Sequence, residues 1–312
     1  MSATLHFIIG CTGSGKAGLG RELARRTGGE IISIDSMKVY RRMNIGTAKP
    51  SADVLASIPH HLVDVAEPSE EFSVARYVAE AEQVIQSLSA RGCPIFVVGG
   101  TALYVKALTE GLFDGPGADE NLRTELRTVA LEKGSAHLHG ELSRVDPQAG
   151  ERIHPNDLRR IVRALEVYRL TGIPITELQS QWDRERTRYD CVFLGIRREL
   201  EDQNARTNRR VRLMLESGLV DEVRGLLDEP LPLSDTARKA VGYAEMIRHL
   251  DGELSLADAT ELIKINTRQL AKSQRTWFKR VRDARWIDVS PDDSAEAVAD
   301  LVLRERMLPW LP

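Results

Sequence analysis

Residues 10–17 read Gly10-Cys11-Thr12-Gly13-Ser14-Gly15-Lys16-Ala17, and the Gly-x-x-x-x-Gly-Lys spacing suits the binding of a phosphate. Glycines so placed let successive backbone N–H groups converge on one concavity, the helix that follows adds its positive end, and Lys16 adds a full charge. One position departs from that chemistry. The residue after the lysine ordinarily offers Mg²⁺ a hydroxyl, and Ala17 has no oxygen. A metal would then rely on a substrate diphosphate, water and another side chain such as Ser14 or Thr12. Cys11 is expected to be a small loop filler, since no histidine base lies near it in sequence.

Asp35 follows an apolar run, Ile31 to Ile34, at the kind of strand end where a carboxylate can serve as a general base; a turn or helix cap is the other role open to it. Thr101 follows Pro94 to Val98 and Gly99-Gly100, and could bring a hydroxyl into the same crevice or cap a helix. His137 and His139, two apart on an expected helix, point to different faces and have no cysteine or carboxylate cluster beside them, so a metal site is not expected there. His60-His61 is expected in a loop.

A third group is cationic. Between Glu261 and Trp286 eight basic residues face Glu261 and Asp283, a local charge of +6, which leaves −9 for the rest of a chain whose net charge is −3. Lys264, Arg268, Lys272, Arg275, Lys279 and Arg282 recur at spacings of 4, 4, 3, 4 and 3. At about 100° per residue they fall within roughly an 80° arc of one helix. Like charges so placed repel, and a polyanion turns that cost into affinity by releasing counterions. Arg159, Arg160 and Arg163, and Arg206, Arg209, Arg210 and Arg212, form two further clusters.

The elements that must position these groups alternate. Leu5 to Ile9 is an expected strand, the helix after the glycine loop shows Leu19, Leu23 and Ala24, and Phe72 to Ala90 is a second amphipathic helix. Strands alternating with helices predict a parallel sheet with its functional loops at the strand C-terminal ends. From about Gly115 the pattern becomes helical, with Asn121 to Glu132 and Leu158 to Thr171, until a strand at Cys191 to Ile196. Helices then follow at Asp202 to Ser217, Leu219 to Leu227, Leu256 to about Asp283 and from Ala295, with a last strand at Arg285 to Val289. The expected division is a core of residues 1–114 and 191–312 around a helical insertion, 115–190. With 312 residues, 42% hydrophobic and 29% charged, the chain can bury its cores without staples, and its three cysteines make neither a disulfide framework nor a CxxC zinc site. The first apolar run is too short for a membrane span and lacks the basic flank of a signal peptide, so a cytoplasmic protein with no membrane partner is expected.

Several short stretches in order give the chain a resemblance. Residues 10–17, Asp35-Ser36-Met37-Lys38-Val39-Tyr40, Gly46-Thr47-Ala48-Lys49-Pro50, Pro59-His60-His61-Leu62-Val63-Asp64, Gly99 to Tyr104, Asn156-Asp157-Leu158-Arg159-Arg160, Gly218-Leu219 with Glu222-Val223, Val241-Gly242-Tyr243 and Thr267 to Lys272 are similar to those of the tRNA dimethylallyltransferases, nearly end to end. The resemblance implies a P-loop NTPase-like α/β fold with a mostly helical insertion domain. It also implies transfer of a dimethylallyl group from dimethylallyl diphosphate to N6 of the adenosine 3′ of a tRNA anticodon, with Mg²⁺ as cofactor, the loop taking a prenyl diphosphate where related loops bind ATP.

On that resemblance Gly10 to Ala17 bind the diphosphate, and Asp35, Thr101 and Arg206 are catalytic, with Arg210 beside Arg206 as a second candidate. Asp35, Ser36, Met37, Lys38, Arg159, Arg160, Ile161, Val162, Arg163, Lys264, Arg268, Lys272 and Arg275 contact tRNA, the insertion gripping the anticodon stem loop of a monomer's substrate. The family usually has Pro, Ala and Thr where this chain has Cys11, Gly13 and Ala17, and Gln where it has Lys38. Lys38 sets a donor-only cation beside the expected base, which predicts slower chemistry with tRNA binding retained. A tRNA-binding homologue with impaired catalysis and a P-loop small-molecule kinase are the alternative readings.

Overall fold

The computed structural model describes residues 3–112, 115–179, 188–281 and 283–308. The chain divides into two compact units, Met1–Thr109 with Thr187–Pro312, and Glu110–Arg186. The break falls about five residues before each expected boundary.

The first unit is built on a parallel sheet. Strands β1 (Thr4–Gly10), β2 (Glu30–Ile34), β3 (His60–His61), β4 (Ile95–Gly99), β5 (Asp190–Arg197) and β6 (Arg285–Asp288) lie in the order β3-β2-β4-β1-β5-β6. Leu5, Phe7, Ile8 and Ile9 of β1 are all buried, which is why this strand reads as a continuous apolar run and not an alternating one: both faces of the sheet are covered. On one face the helix Lys16–Thr27 buries Leu19, Leu23 and Ala24 in a cluster with Phe96, Val98, Val298 and Val302. On the other, Tyr77 of the helix Val74–Ala90 stacks on Tyr104 and donates its hydroxyl to the Ser33 carbonyl at 3.2 Å.

Register decides what comes together. Ile9 pairs with Gly99 and Gly99 with Ile34, so the chain leaves β1, β4 and β2 at one level. The residues that follow, from Gly10, Gly100 and Asp35, emerge side by side at the carboxyl edge, where open α/β sheets bind their ligands.

Two expectations in this unit need correction. His60-His61 is not loop but a two-residue edge strand, Ile31 pairing with His60 and Ile32 with His61; a strand this short has no apolar run to reveal it. The basic helix runs Leu256–Phe278, not to Asp283. Turn hydrogen bonds from Arg280 N to Trp277 O and Val281 N to Phe278 O wind it down, Lys279 is its C-cap, and Arg282 lies outside the described residues. The cationic stripe on the helix is therefore Lys264, Arg268, Lys272 and Arg275.

The second unit is helical, with Glu120–Lys133, Ser135–Val145, Pro147–Arg152, Leu158–Thr171 and Ile175–Gln179. Its core contains Leu126, Leu138, Leu142, Ile161, Val162 and Leu165. Ile161 and Val162 are buried there, at 0% and 4% exposure, and cannot touch RNA; Arg159 and Arg160, immediately before them, are exposed. Adjacent residues on a helix point about 100° apart, so a run of five cannot all face one partner.

Glu166 lies fully buried in this unit. It accepts from Arg163 Nη1 at 2.6 Å, Arg123 Nε at 2.8 Å and the Asp119 amide at 2.8 Å. Burial pushes its carboxyl up, but Arg163, the amide and Arg123 outweigh it and hold the group below its ordinary value. Glu166→Gln is expected to lower the stability of this unit by ~2 kcal/mol at neutral pH, below the value for a fully buried pair because both arginines are partly exposed. Because the folded carboxyl titrates low, that contribution is lost as pH falls through its folded value, and the variant and wild type converge in acid. Urea unfolding of the two proteins at neutral and acid pH measures the difference.

Candidate active site

The glycine loop joins β1 to the helix Lys16–Thr27. Gly13 has φ +82 and Gly15 φ +100, so at position 13 glycine occupies a left-handed conformation that the β-carbon of alanine would strain. Ser14 N donates to Cys11 O at 3.1 Å and Lys16 Nζ reaches back to the same carbonyl at 3.1 Å. The amides of Gly13, Gly15 and Ala17 have no hydrogen-bond partner among the described residues. Three open N–H groups, a helix N-terminus and a lysine form an anion cradle. Cys11 is buried within it as a filler.

The helix Leu200–Glu216 braces the loop from one side. Arg206 Nε donates to Gly13 O at 3.1 Å, Arg210 Nη1 to Thr12 Oγ1 at 3.1 Å, and Gln203 Nε2 to Thr12 O at 2.9 Å. Both arginine candidates thus stand at the loop. Arg198 also donates to Ser14 O at 2.9 Å, with Asp202 beside it at 2.8 Å.

Asp35 takes the turn-capping role with one oxygen only: Oδ1 accepts the Met37 amide at 3.0 Å and the Lys38 amide at 3.3 Å. No hydrogen bond to its other oxygen is formed among the described residues, which leaves that oxygen open. Thr101 Oγ1 accepts the Ser36 amide at 3.0 Å and lies 3.5 Å from Ser36 Oγ. The hydroxyl at the end of β4 and the carboxylate at the end of β2 therefore share one turn.

Gln274 was not legible as a site residue, and it ties the two halves together. Its Oε1 accepts the Thr12 amide at 2.8 Å while its Nε2 donates to Gly100 O at 2.9 Å. It lies inside the basic stretch, where charge draws the eye and a neutral amide carries no periodic signal. Gln274→Leu leaves both backbone groups without their partner, and a ~10-fold fall in kcat with substrate affinity kept is expected, since misplacing reacting groups slows a reaction more than it weakens binding. Steady-state kinetics beside an unfolding curve separates this from loss of fold.

The basic stripe is partly spent within the protein. Arg268 bonds Asn208 Oδ1 at 3.0 Å, Arg275 bonds Gln203 Oε1 at 2.6 Å, and Lys264 pairs with Glu261 at 2.5 Å. Lys272 is exposed. In the helical unit Arg160 pairs with Asp157 at 3.1 Å and Arg163 with Glu166. His137 lies 3.3 Å from Glu141, and His139 Nε2 bridges the carbonyls of Gly150 and Ile153.

Two stretches far apart in sequence prove to be partners. Glu222 accepts the amides of Asn44 at 3.0 Å and Ile45 at 2.8 Å and the Tyr243 hydroxyl at 2.6 Å. Gly46 must be glycine because a β-carbon would come 2.4 Å from the Tyr243 ring. Asn44 to Gly46, Glu222 and Tyr243 thus fold against one another, and nearby Lys49 pairs with Asp64 at 2.5 Å.

The residues do not fit a protein-held Mg²⁺. Ala17 offers no oxygen, Thr12 Oγ1 already accepts from Arg210, and the buried Ser14 Oγ accepts the Lys16 amide at 3.4 Å. Among the described residues no group of three His, Cys, Asp or Glu side chains is placed to hold a metal ion.

Two family models match, one described as IPP transferase over residues 38–281 and one as isopentenyl transferase over residues 3–71. A tRNA dimethylallyltransferase of Geobacter metallireducens is 46% identical over 284 residues, 91% of this chain and 92% of its own. One of Symbiobacterium thermophilum is 43% identical over 311 residues, 99% and 97% of the two chains. Among solved structures, the full-length tRNA isopentenylpyrophosphate transferase of Bacillus halodurans has a TM-score of 0.70 at 38% identity, covering 98% of each chain. A eukaryotic dimethylallyltransferase acting on tRNA has a TM-score of 0.79 at 28% identity, covering 98% of this chain and 80% of that one. With its phosphate cradle, its Asp35–Thr101 turn and relatives matched along nearly their whole length, the chain belongs to the tRNA dimethylallyltransferase family.

Proposed function

We propose that the chain transfers a dimethylallyl group from dimethylallyl diphosphate to the exocyclic N6 amine of the adenosine immediately 3′ of a tRNA anticodon. The N6 lone pair attacks C1 of the prenyl group, the bond from C1 to the diphosphate oxygen breaks, and diphosphate leaves with the electron pair. Asp35 takes the proton that N6 gives up. The open amides of Gly13, Gly15 and Ala17, with Lys16, Arg206 and Arg210, stabilise the charge that grows on the departing diphosphate. Thr101 and Ser36 hold the adenine edge near Asp35. No ATP is consumed, because the allylic diphosphate is itself the activated donor.

The observation that carries this reading is the level register of β2, β4 and β1, which sets a carboxylate with one open oxygen next to an anion cradle. The adenine has to leave its stack to reach such a crevice, which is cheaper from a loop than from a duplex. Ser36, Met37 and Lys38 would flank the flipped base. Arg159, Arg160 and Arg163 on the helical unit would grip the anticodon stem loop, and Lys264, Arg268, Lys272 and Arg275 would follow its phosphates. A divalent metal, usual in this chemistry, would have to arrive with the diphosphate. Among the described residues no helix is long and apolar enough to cross a membrane.

Anticodon stem-loop RNAs that differ only in the acceptor base test the reading. Prenylation of the adenosine RNA, and none of an otherwise identical guanosine RNA or of free AMP, is expected. Equal labelling of free AMP would place the enzyme outside tRNA modification.

A further inference from the structure

Lys38 occupies an unusual place for a cation. Its backbone amide is held by Asp35 at 3.3 Å. Its ammonium makes no hydrogen bond or ion pair among the described residues, although Lys38, Ala17, Arg21, Ser33 and His60 all line one pocket beside the phosphate loop. Arg21 and Arg210 lie close enough to act on Lys38, and Lys38 and Arg210 close enough to act on Lys16. Lys49, also close, is neutralised by Asp64. Arg21 and Lys38 line the pocket, Lys16 and Arg210 stand close enough to act on Lys38 or on each other, Asp35 acts on Lys16, Lys38 and Arg210, and none of the four cations has a carboxylate within ion-pair distance among the described residues. Two cations in one pocket, with Lys16 and Arg210 close by, cost stability unless an anion lies among them. A diphosphate carries roughly three negative charges near neutral pH, its terminal phosphate titrating near pH 6.

The same pocket is where the loop lacks its usual metal-holding group. Position 17 lines the same pocket as Lys38, and Ala17 brings no oxygen to it. We infer that the Lys38 ammonium supplies, from the protein itself, the positive charge that a metal ion would otherwise bring to the diphosphate, so that this chain binds and releases diphosphate with little need of Mg²⁺. Burial and the cations around it push the proton affinity of Lys38 down, and bound diphosphate would reverse that. The inference rests on the proposed reaction for the identity of the anion, but its test does not require turnover.

Titration calorimetry of the full chain with inorganic pyrophosphate, in EDTA and in Mg²⁺, is the experiment. Wild type is expected to bind in EDTA within ~3-fold of its affinity in Mg²⁺, and Lys38→Gln and Lys38→Met to lose ~10-fold or more in EDTA, as removal of a charge-assisted contact to phosphate does. Lys38→Arg should keep most of the affinity, and Ala17→Thr combined with Lys38→Gln should regain it only when Mg²⁺ is present. The inference is overturned if both neutral variants bind pyrophosphate in EDTA as wild type does. It is equally overturned if wild-type binding collapses ~100-fold on removing Mg²⁺, the size of a lost full charge pair. Pyrophosphate binding that follows Lys38 in a chain that prenylates no RNA would support this inference and sink the proposed reaction, so the two fail separately.

Discussion

Asp35→Asn is expected to slow prenyl transfer by ~10²–10⁴-fold, the range that a positioned general base contributes. The substitution is mild in structure. Asparagine keeps an oxygen to accept the Met37 and Lys38 amides, so the turn beside Thr101 should hold. What it removes is the second carboxylate oxygen, which has no hydrogen-bond partner among the described residues, and it puts an N–H donor in its place. The effect should therefore fall on kcat, with the affinities for tRNA and for pyrophosphate changed by less than ~3-fold, as expected when an interaction made only in the transition state is lost. Rapid-quench single-turnover rates, measured beside filter binding of tRNA, check this. A variant that keeps a tenth or more of the wild-type rate, or that loses binding in step with rate, would remove Asp35 from the chemistry.

Lys16→Met should cost ~10²–10³-fold in kcat/KM for dimethylallyl diphosphate, comparable to loss of one preorganised donor at a site of developing charge. Burial, then Lys38 and Arg210, lower the Lys16 ammonium to about 8, against the opposing pull of Asp35 and Cys11. The sign follows: the charge is complete below that value and is lost as pH rises through it, so pyrophosphate affinity should be highest between about pH 6, where the terminal phosphate ionises, and about pH 8, and weaken by about pH 9. Lys16→Met should lose this alkaline limb. Because burial already disfavours the charged form, the variant should unfold at no lower urea concentration than wild type at pH 7, which separates a lost contact from a lost fold. Calorimetry across the pH range, with an unfolding curve for each protein, gives both answers.

Much of this site was legible before any coordinates, for physical reasons. A glycine loop between an apolar strand and an amphipathic helix has few other structural solutions, and a carboxylate or hydroxyl directly after a buried strand must emerge at the sheet edge. Leu158–Thr171 and Leu219–Leu227 end where the sequence says, at Gly172 and between Gly218 and Asp228. The misses have causes as definite. His60–His61 forms a strand by backbone pairing alone, without an apolar pattern. Ile161 and Val162 lie within an arginine-rich stretch, but on a helix the charge and the core share neighbouring positions. The long basic helix stops at Phe278 with no glycine or proline to mark the end. Gln203 and Gln274 act through hydrogen bonds to the backbone of a distant loop, and spacing within their own helices cannot reveal such contacts.

The departures at Ala17 and Lys38 gain meaning from being seen together. Read singly along the chain, one removes a metal ligand and the other adds a cation beside the expected base. In the fold they line the same pocket. Gly13 likewise stops being a mere deviation once its left-handed backbone is known.

The most direct test of the central claim is chemical identification of the product. Purified chain, unmodified tRNA, dimethylallyl diphosphate and Mg²⁺ are incubated together, the RNA is digested to nucleosides, and the digest is analysed by mass spectrometry. The result expected is N6-dimethylallyladenosine, formed by wild type and not by Asp35→Asn on the same time scale. Unmodified adenosine alone, from a tRNA that the wild-type protein demonstrably binds, would contradict the account and leave a tRNA-binding protein without the transferase activity.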